Sequence, residues 1–351
     1  MNDIWHSFLN KMGAVFDGNT VTHFGNPDRE RLAALESNIV ANLSGLGAIK
    51  ASGDDATTFL HNQFTNDLKA LAPGQSQLSG YCSPKGRLLA LFRVIALEEG
   101  YLLILPREVL PQTLKRLRMF VLMSKVELVD VSDEIVQIGL SGPDAETLLQ
   151  PHFNEVPSAV DQAVSREELT AVRIPGPMPR FHIFGTANAM EPLWRSLSES
   201  VAAAGPGNWE LLDIKAGLPV IHKENVEAFV PQMVNLQAVG GLSFTKGCYP
   251  GQEVVARMQY LGKLKRRMYI AHAEGDTPPA PGTPIVSMED GKTRKVGQVV
   301  AAQLTAPTEI ALTAVIEIAA AEGKALHIES TSGSTLALET LPYPLDQGNQ
   351  G

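Results

Sequence analysis

Apolar positions recur along this chain with two different periods, and the alternation between them lays out its elements. Ser52-Gly53-Asp54-Asp55 is a polar run suited to a helix start, and Ala56, Phe59 and Leu60 then fall at i, i+3 and i+4, the stripe of an amphipathic helix. That helix is expected to stop near Asn66, ahead of Pro73-Gly74. Residues 88–97 form an apolar, β-favouring run, Glu98-Glu99-Gly100 a turn, and 101–105 the returning strand. Leu110, Leu114, Leu117 and Val121 mark a second amphipathic helix, and 126–131 and 135–140 read as two more strands. Several of these connections are too short for a parallel crossover, so part of the sheet is expected to be antiparallel. Gly142-Pro143-Asp144 opens a short helix, 151–170 is polar and without pattern, and 180–184 reads as a strand. A helix is predicted over 192–204, with Trp194, Leu197 and Val201 on one face, before Gly205-Pro206-Gly207 breaks the chain. Asn208 is placed to cap a helix over 209–216, with Glu210 in its first turn and Lys215 in its last, both matched to the helix dipole. Gly217 and Pro219 end it. Residues 1–40 show no clear pattern.

Beyond residue 260 the pattern changes. Lys263, Lys265, Arg266 and Arg267 cluster, and short apolar runs separated by Gly and Pro follow, with Pro278-Pro279-Ala280-Pro281-Gly282 the clearest turn. This predicts a small all-β module, a barrel, over 261–345. The fold class is α+β. The organisation expected is a first α+β module over 1–140 completed by 208–260, a second over 141–207, the barrel, and a tail over 346–351.

At 351 residues the chain exceeds one ordinary core. Its net charge of −9 argues against nucleic-acid binding by the surface as a whole but leaves room for a local basic patch. Cys82 and Cys248 are the only cysteines, with no CxxC, so neither a disulfide framework nor a cysteine-built zinc site is expected. The start of the chain has no signal-peptide pattern and no apolar run is long enough to span a bilayer. A cytoplasmic location is the expectation.

The densest chemistry lies in Lys246-Gly247-Cys248-Tyr249-Pro250-Gly251-Gln252-Glu253, followed by Val254, Val255 and Met258 at helical spacing. A tight loop is predicted to end as a helix begins near Gln252. Gly247 and Gly251 admit backbone conformations that a Cβ blocks, and Pro250 suits a loop or first turn. Backbone N–H groups at a helix start attract anions and favour a thiolate, and Lys246 acts in the same sense. Cys248 therefore reads either as a working thiolate or as a structural cysteine in a turn. Trp209 fits a stacking platform or a core residue. Ser83-Pro84-Lys85-Gly86-Arg87 fits an anion contact or a solvated hairpin turn, and the 263–267 cluster a phosphate or polyglutamate contact or a charged edge. The histidines show neither HExxH nor His-x-His spacing, so no metal site is expected, and there is no GxSxG or dinucleotide fingerprint.

Phe229-Val230-Pro231-Gln232, Asn235-Leu236-Gln237-Ala238 and the run from Gly240 through Glu253 closely resemble the YgfZ family. These are folate-binding proteins related to the T-protein (aminomethyltransferase) of the glycine cleavage system. Cys82 to Arg87, Ala216-Gly217-Leu218-Pro219-Val220-Ile221 and Leu341-Pro342-Tyr343-Pro344-Leu345 match further landmarks in order, so the resemblance covers roughly residues 45–345. It implies a fold of three modules and a tetrahydrofolate cofactor. It also implies a role supporting iron–sulfur enzymes, including those that thiolate tRNA. By carry-over Cys248 is the functional thiol, with Lys246, Gly247, Tyr249, Gly251, Gln252 and Glu253 as its loop and Trp209, Gln232 and Asn235 at the folate site. Three positions depart from relatives. The strand where T-proteins carry a catalytic aspartate reads Arg87-Leu88-Leu89-Ala90-Leu91, without the group that moves protons, so catalysis of the T-protein kind does not carry over. Lys215 replaces a glutamate that pairs with the pterin edge, and Leu46 stands where some relatives have a second tryptophan. The alternatives are a folate-dependent aminomethyl transferase and a module that binds protein or RNA through residues 263–267.

Overall fold

The computed structural model describes residues 1–345; the tail expected over 346–351 lies outside them. Nine α-helices are found there: α1 (Asp3–Lys11), α2 (Pro27–Glu36), α3 (Ala56–Gln63), α4 (Leu110–Arg118), α5 (Ala145–Leu149), α6 (Ala187–Ser198), α7 (Pro206–Lys215), α8 (Gln252–Tyr260) and α9 (Ile318–Ala321). The chain divides into two compact units. One comprises residues 1–57, 70–77 and 93–212, the other 58–69, 78–92 and 213 onward.

The first unit is built on a six-stranded sheet ordered Ala163–Arg166, Leu169–Ile174, Arg180–Gly185, Val136–Ser141, Ile39–Asn42, Ala202–Ala204. All neighbours are antiparallel except the last pair. Side chains alternate across its faces. Val40, Ile138, Leu140, Phe181 and Ile183 pack on one side with Trp5 and Phe8 of α1 and Leu193, Trp194 and Leu197 of α6. Ile39, Ala41, Val172 and Phe184 pack on the other with Trp209 and Leu212 of α7 and with Ala48, Leu102 and Ile104. Those last three belong to an antiparallel ladder in which Leu46–Ser52 lies between Gly100–Pro106 and Glu127–Asp130.

Elements predicted from longer patterns are present: Leu88–Leu97, Gly100–Pro106, α4 and Arg180–Gly185. Others moved for identifiable reasons. α6 starts at Ala187, not 192, because the Thr186 hydroxyl accepts from the Ala189 N–H and caps it; Ala202–Ala204, expected as helix, pairs in parallel with Ile39–Asn42. Pro206 occupies the first turn of α7 and does not break the chain there. The unpatterned 1–40 segment holds α1, α2 and three strands of three or four residues, too short to show a period.

The second unit contains a C-terminal six-stranded sheet ordered His327–Ile328, Pro284–Glu289, Lys292–Ala306, Glu309–Glu317, Arg266–Glu274, Ala337–Glu339. The ladders described in it are antiparallel, and bulges at Val299/Ala301 and Leu304/Ala306 bend its longest strand. The predicted closed barrel, as one continuous set of ladders, is not found among the described residues; the two edge strands are joined by a short antiparallel contact, His327 bridging Thr335 and Leu336 N–H donating to the Leu326 carbonyl at 2.9 Å. The fold is mixed α+β.

Candidate functional site

The Lys246–Glu253 loop is anchored from beneath by its first residue. Lys246 is buried, and its ammonium donates to the carbonyls of His61 and of Phe64, the latter at 2.6 Å. These carbonyls belong to the C-terminal end of α3, where helix carbonyls lack intrahelical partners and a cation suits the dipole. The same ammonium lies 4.7 Å from the centre of the Tyr249 ring. Burial lowers the Lys246 pKa to about 8, against the opposing pull of Asp67 and of the Cys248 sulfur. Tyr249 is itself a core residue, beside Cys82, Leu88 and Val255. Burial, followed by the nearby Cys82, pushes its phenol well above the usual range. Between these two buried side chains, Gly247 and Cys248 are exposed, and Cys248 is a free thiol.

The far end of the loop is fixed by glycine against glycine. Gly251, at φ +80°, is the residue before α8. A Cβ there would lie 2.5 Å from the Ser83 carbonyl oxygen and 2.6 Å from Gly86, so both the backbone angle and the space demand glycine. Gly86, at φ +70°, closes the turn in which Ser83 N–H donates to the Arg87 carbonyl at 2.8 Å. The basic turn of residues 83–87 thus abuts the cysteine loop. Gln252 and the exposed Glu253 open α8 as predicted. Cys82, four residues before Gly86, is buried, and burial pushes its thiol up to about 12. The two cysteines therefore differ in kind: one is core, the other presented to solvent.

Landmarks far apart in sequence meet at Tyr343. Its hydroxyl donates to the Gly217 carbonyl at 2.8 Å and accepts from Asn235 Nδ2 at 3.3 Å. Asn235 Nδ2 also donates to the Met268 carbonyl, and Gln232 Nε2 donates to that of Val255. Both amides are buried, and among the described residues Asn235 Oδ1 and Gln232 Oε1 have no hydrogen-bond donor. Lys215 lies 3.1 Å from His272 Nε2 and 3.9 Å from Glu339, so its charge is engaged with the C-terminal sheet. Trp209, in the other unit, is only 5 % exposed; its ring lies over Gly139 and beneath the Arg180 guanidinium, 4.2 Å from the ring centre. Among the described residues no group of three His, Cys, Asp or Glu is placed to hold a metal ion, and no helix is long and apolar enough to cross a membrane.

Sequence reasoning found the loop but not its anchor. The Lys246 contacts to His61 and Phe64 span 185 and 182 residues, a distance over which no local pattern could have pointed to them.

The arrangement defines a mixed α+β protein with the fold of an aminomethyltransferase. Residues 8–172 match the GCVT N-terminal domain family. The fold matches that of glycine cleavage system aminomethyltransferase T from Bartonella henselae with a TM-score of 0.77 over 97% of both chains, at 16% identity. Within that type, the chain is 32% identical to the tRNA-modifying protein YgfZ of Colwellia psychrerythraea over 90% of its own length and 96% of the relative's. It is 33% identical to that of Edwardsiella ictaluri over 85% and 90%. The chain belongs to the YgfZ family.

Proposed function

We propose that this protein supports tRNA modification, the role its relatives' name carries, and that it acts through the Cys248 thiol. The observation that carries the reading is an exposed free sulfur on a loop whose two ends are rigidly held, by the Lys246 ammonium at one side and the Gly251–Gly86 contact at the other. Such a thiol is presented to a partner and not spent on packing. Its clients are iron–sulfur enzymes such as those that thiolate tRNA, by resemblance to the family. Tetrahydrofolate or a derivative is the ligand, with Gln232 and Asn235 offering their unpaired oxygens to its N–H groups and Trp209 assigned by resemblance alone. Bound, it would supply a carrier for one-carbon units. Lys246, Gly247, Tyr249, Gly251, Gln252 and Glu253 serve to hold the sulfur in place.

The test is complementation. In a bacterial strain lacking its own homologue, wild-type protein is expected to restore thiolated tRNA nucleosides, measured by mass spectrometry, and Cys248→Ala to fail at equal expression. Full restoration by Cys248→Ala sinks the thiol role. Aminomethyl transfer is the second reading. The strand after Gly86 opens with Leu88, Leu89, Ala90 and Leu91, all buried, so no carboxylate stands there to move a proton. Formation of methylenetetrahydrofolate from an aminomethylated carrier protein, above background, would reverse this ordering. Isothermal titration with tetrahydrofolate tests the ligand; Gln232→Leu and Asn235→Leu are expected to weaken a measurable affinity.

A further inference from the structure

The far end of α8 carries a surface that the cysteine loop does not use. Tyr260 and Leu261 are 69 % and 83 % exposed. The Tyr260 ring is held edge-on by the half-buried Phe244, with centroids 6.1 Å apart at 67°, so the tyrosine is positioned without being covered. Arg257, Lys263 and Lys265 are exposed around it, and their side chains have no hydrogen-bond or ion-pair partner among the described residues. The adjoining Arg266 differs, because Glu317 holds both it and Arg294. Glu253 lies one turn before Arg257, at the other end of the helix. The backbone is fixed where the segment enters the C-terminal sheet: the Lys265 carbonyl accepts from Ile318 N–H at 2.9 Å.

Free cations flanking an open aromatic ring match a strand in which phosphates alternate with flat bases. An acidic polypeptide would satisfy the cations but offers nothing flat for Tyr260. With a net charge of −9 on the whole chain, a polyanion is repelled elsewhere and confined to such a patch. We propose that the end of α8 and residues 261–266 bind single-stranded RNA, Tyr260 stacking on an unpaired base and Arg257, Lys263 and Lys265 pairing with phosphates. The surface stands on these side chains; that the RNA is a tRNA loop rests on the function proposed above. α8 spans about 12 Å from Gln252 to Tyr260, so RNA held there lies one short helix away from the cysteine loop.

Fluorescence anisotropy of the full chain with a labelled, unmodified RNA stem-loop, across a salt series, tests this. The stem-loop is expected to bind more tightly than a blunt duplex of the same length. Tyr260→Ala should weaken it about 5- to 150-fold, the range that base–aromatic stacking supplies. The double substitution Lys263→Ala and Lys265→Ala should reduce the log–log salt slope by about 1.4. Circular dichroism confirms that these surface variants fold. Cys248→Ala is expected to bind RNA like wild type, which separates this surface from the thiol: loss of RNA binding and loss of complementation fail independently. Absence of salt-dependent binding, or binding that both sets of substitutions leave unchanged, overturns the proposal. Tighter binding of polyglutamate than of RNA at equal salt also overturns it and assigns the patch to an acidic protein.

Discussion

Each unit of the protein buries a strong cation, and the two treat it in opposite ways. In the first, Arg180 is fully buried, donates to the carbonyl of Pro175 and lies over Trp209. An arginine does not give up its proton, so the adjustment falls on its neighbour. Burial, then Arg93 and Arg180, brings the His182 pKa down to about 3, and its neutral ring meets Gln137 Oε1 at 3.0 Å. In the second unit the buried cation is a lysine, which can shed its proton; its pKa falls to about 8 and an exposed cysteine stands two residues on. The first arrangement is closed and serves packing. The second is closed below and open above, which is the geometry of a presented group.

The largest expected effect tests whether that opening is real. Cys248 should react with a disulfide reagent in the native protein at pH 8, while Cys82, buried and with its thiol pushed up to about 12, should react at least about 1,000-fold more slowly, because the thiolate is the nucleophile. Stopped-flow absorbance on Cys82→Ala and Cys248→Ala variants reads each thiol alone. Equal native rates would remove the distinction between the two cysteines.

Next in size is Gly251→Ala. Its Cβ meets backbone atoms at 2.5–2.6 Å at a φ of +80°, so a loss of about 3 kcal/mol or more in urea unfolding is expected. Gly240, at φ +72° with nothing within 4 Å, is the control: Gly240→Ala carries only the backbone strain, about 1 kcal/mol. Similar losses for the two would show that the 83–87 turn does not hold the loop. Gly139→Ala probes the closed region. Its Cβ would lie 2.4 Å from carbons of the Trp209 ring, and overpacking of this kind costs about 2 kcal/mol; a shift in tryptophan emission should accompany it. An unchanged stability would mean that the ring has room to move and that the region is not closed.

How much of this was legible in the sequence depends on the range of the interaction involved. Leu88–Leu97 and Arg180–Gly185 could be read because a buried strand is a local apolar run. The eight-residue loop could be read because its glycines, proline and cysteine are contiguous. α6 starts earlier than its apolar face suggests because a Thr186 cap sets its start, and how far the C-terminal sheet closes depends on a single contact between its edges, which no local pattern encodes. The anchoring of Lys246 could not be read at all. Nothing near residue 246 encodes two carbonyls at the end of a helix some 180 residues earlier, and a lysine in a glycine-rich loop otherwise reads as solvated.

The smallest expected effect separates by pH His182, the neighbour of the first buried cation, from Lys246, the second. For His182 the folded pKa lies below the unfolded value of 6.5, so its contribution to stability is complete above that value and is lost as pH falls towards 3. For Lys246 the folded pKa of about 8 lies below the usual lysine value of 10.5. The unfolded chain keeps its proton longer, so this contribution rises from pH 8 and is complete only above 10.5. The two windows do not overlap. Hydrogen exchange read by mass spectrometry should therefore show residues 136–141 and 180–185 losing protection on acidification from pH 6. The shift at Lys246 is read directly by isotope-labelled reductive methylation and NMR, where its amine should titrate near 8. His182→Gln should abolish the acid effect alone, and Lys246→Met the alkaline one alone. A Lys246 amine that titrates at the ordinary lysine value would mean that the two carbonyls stabilise the ammonium enough to offset its burial, and the contrast between the units would then rest on exposure only.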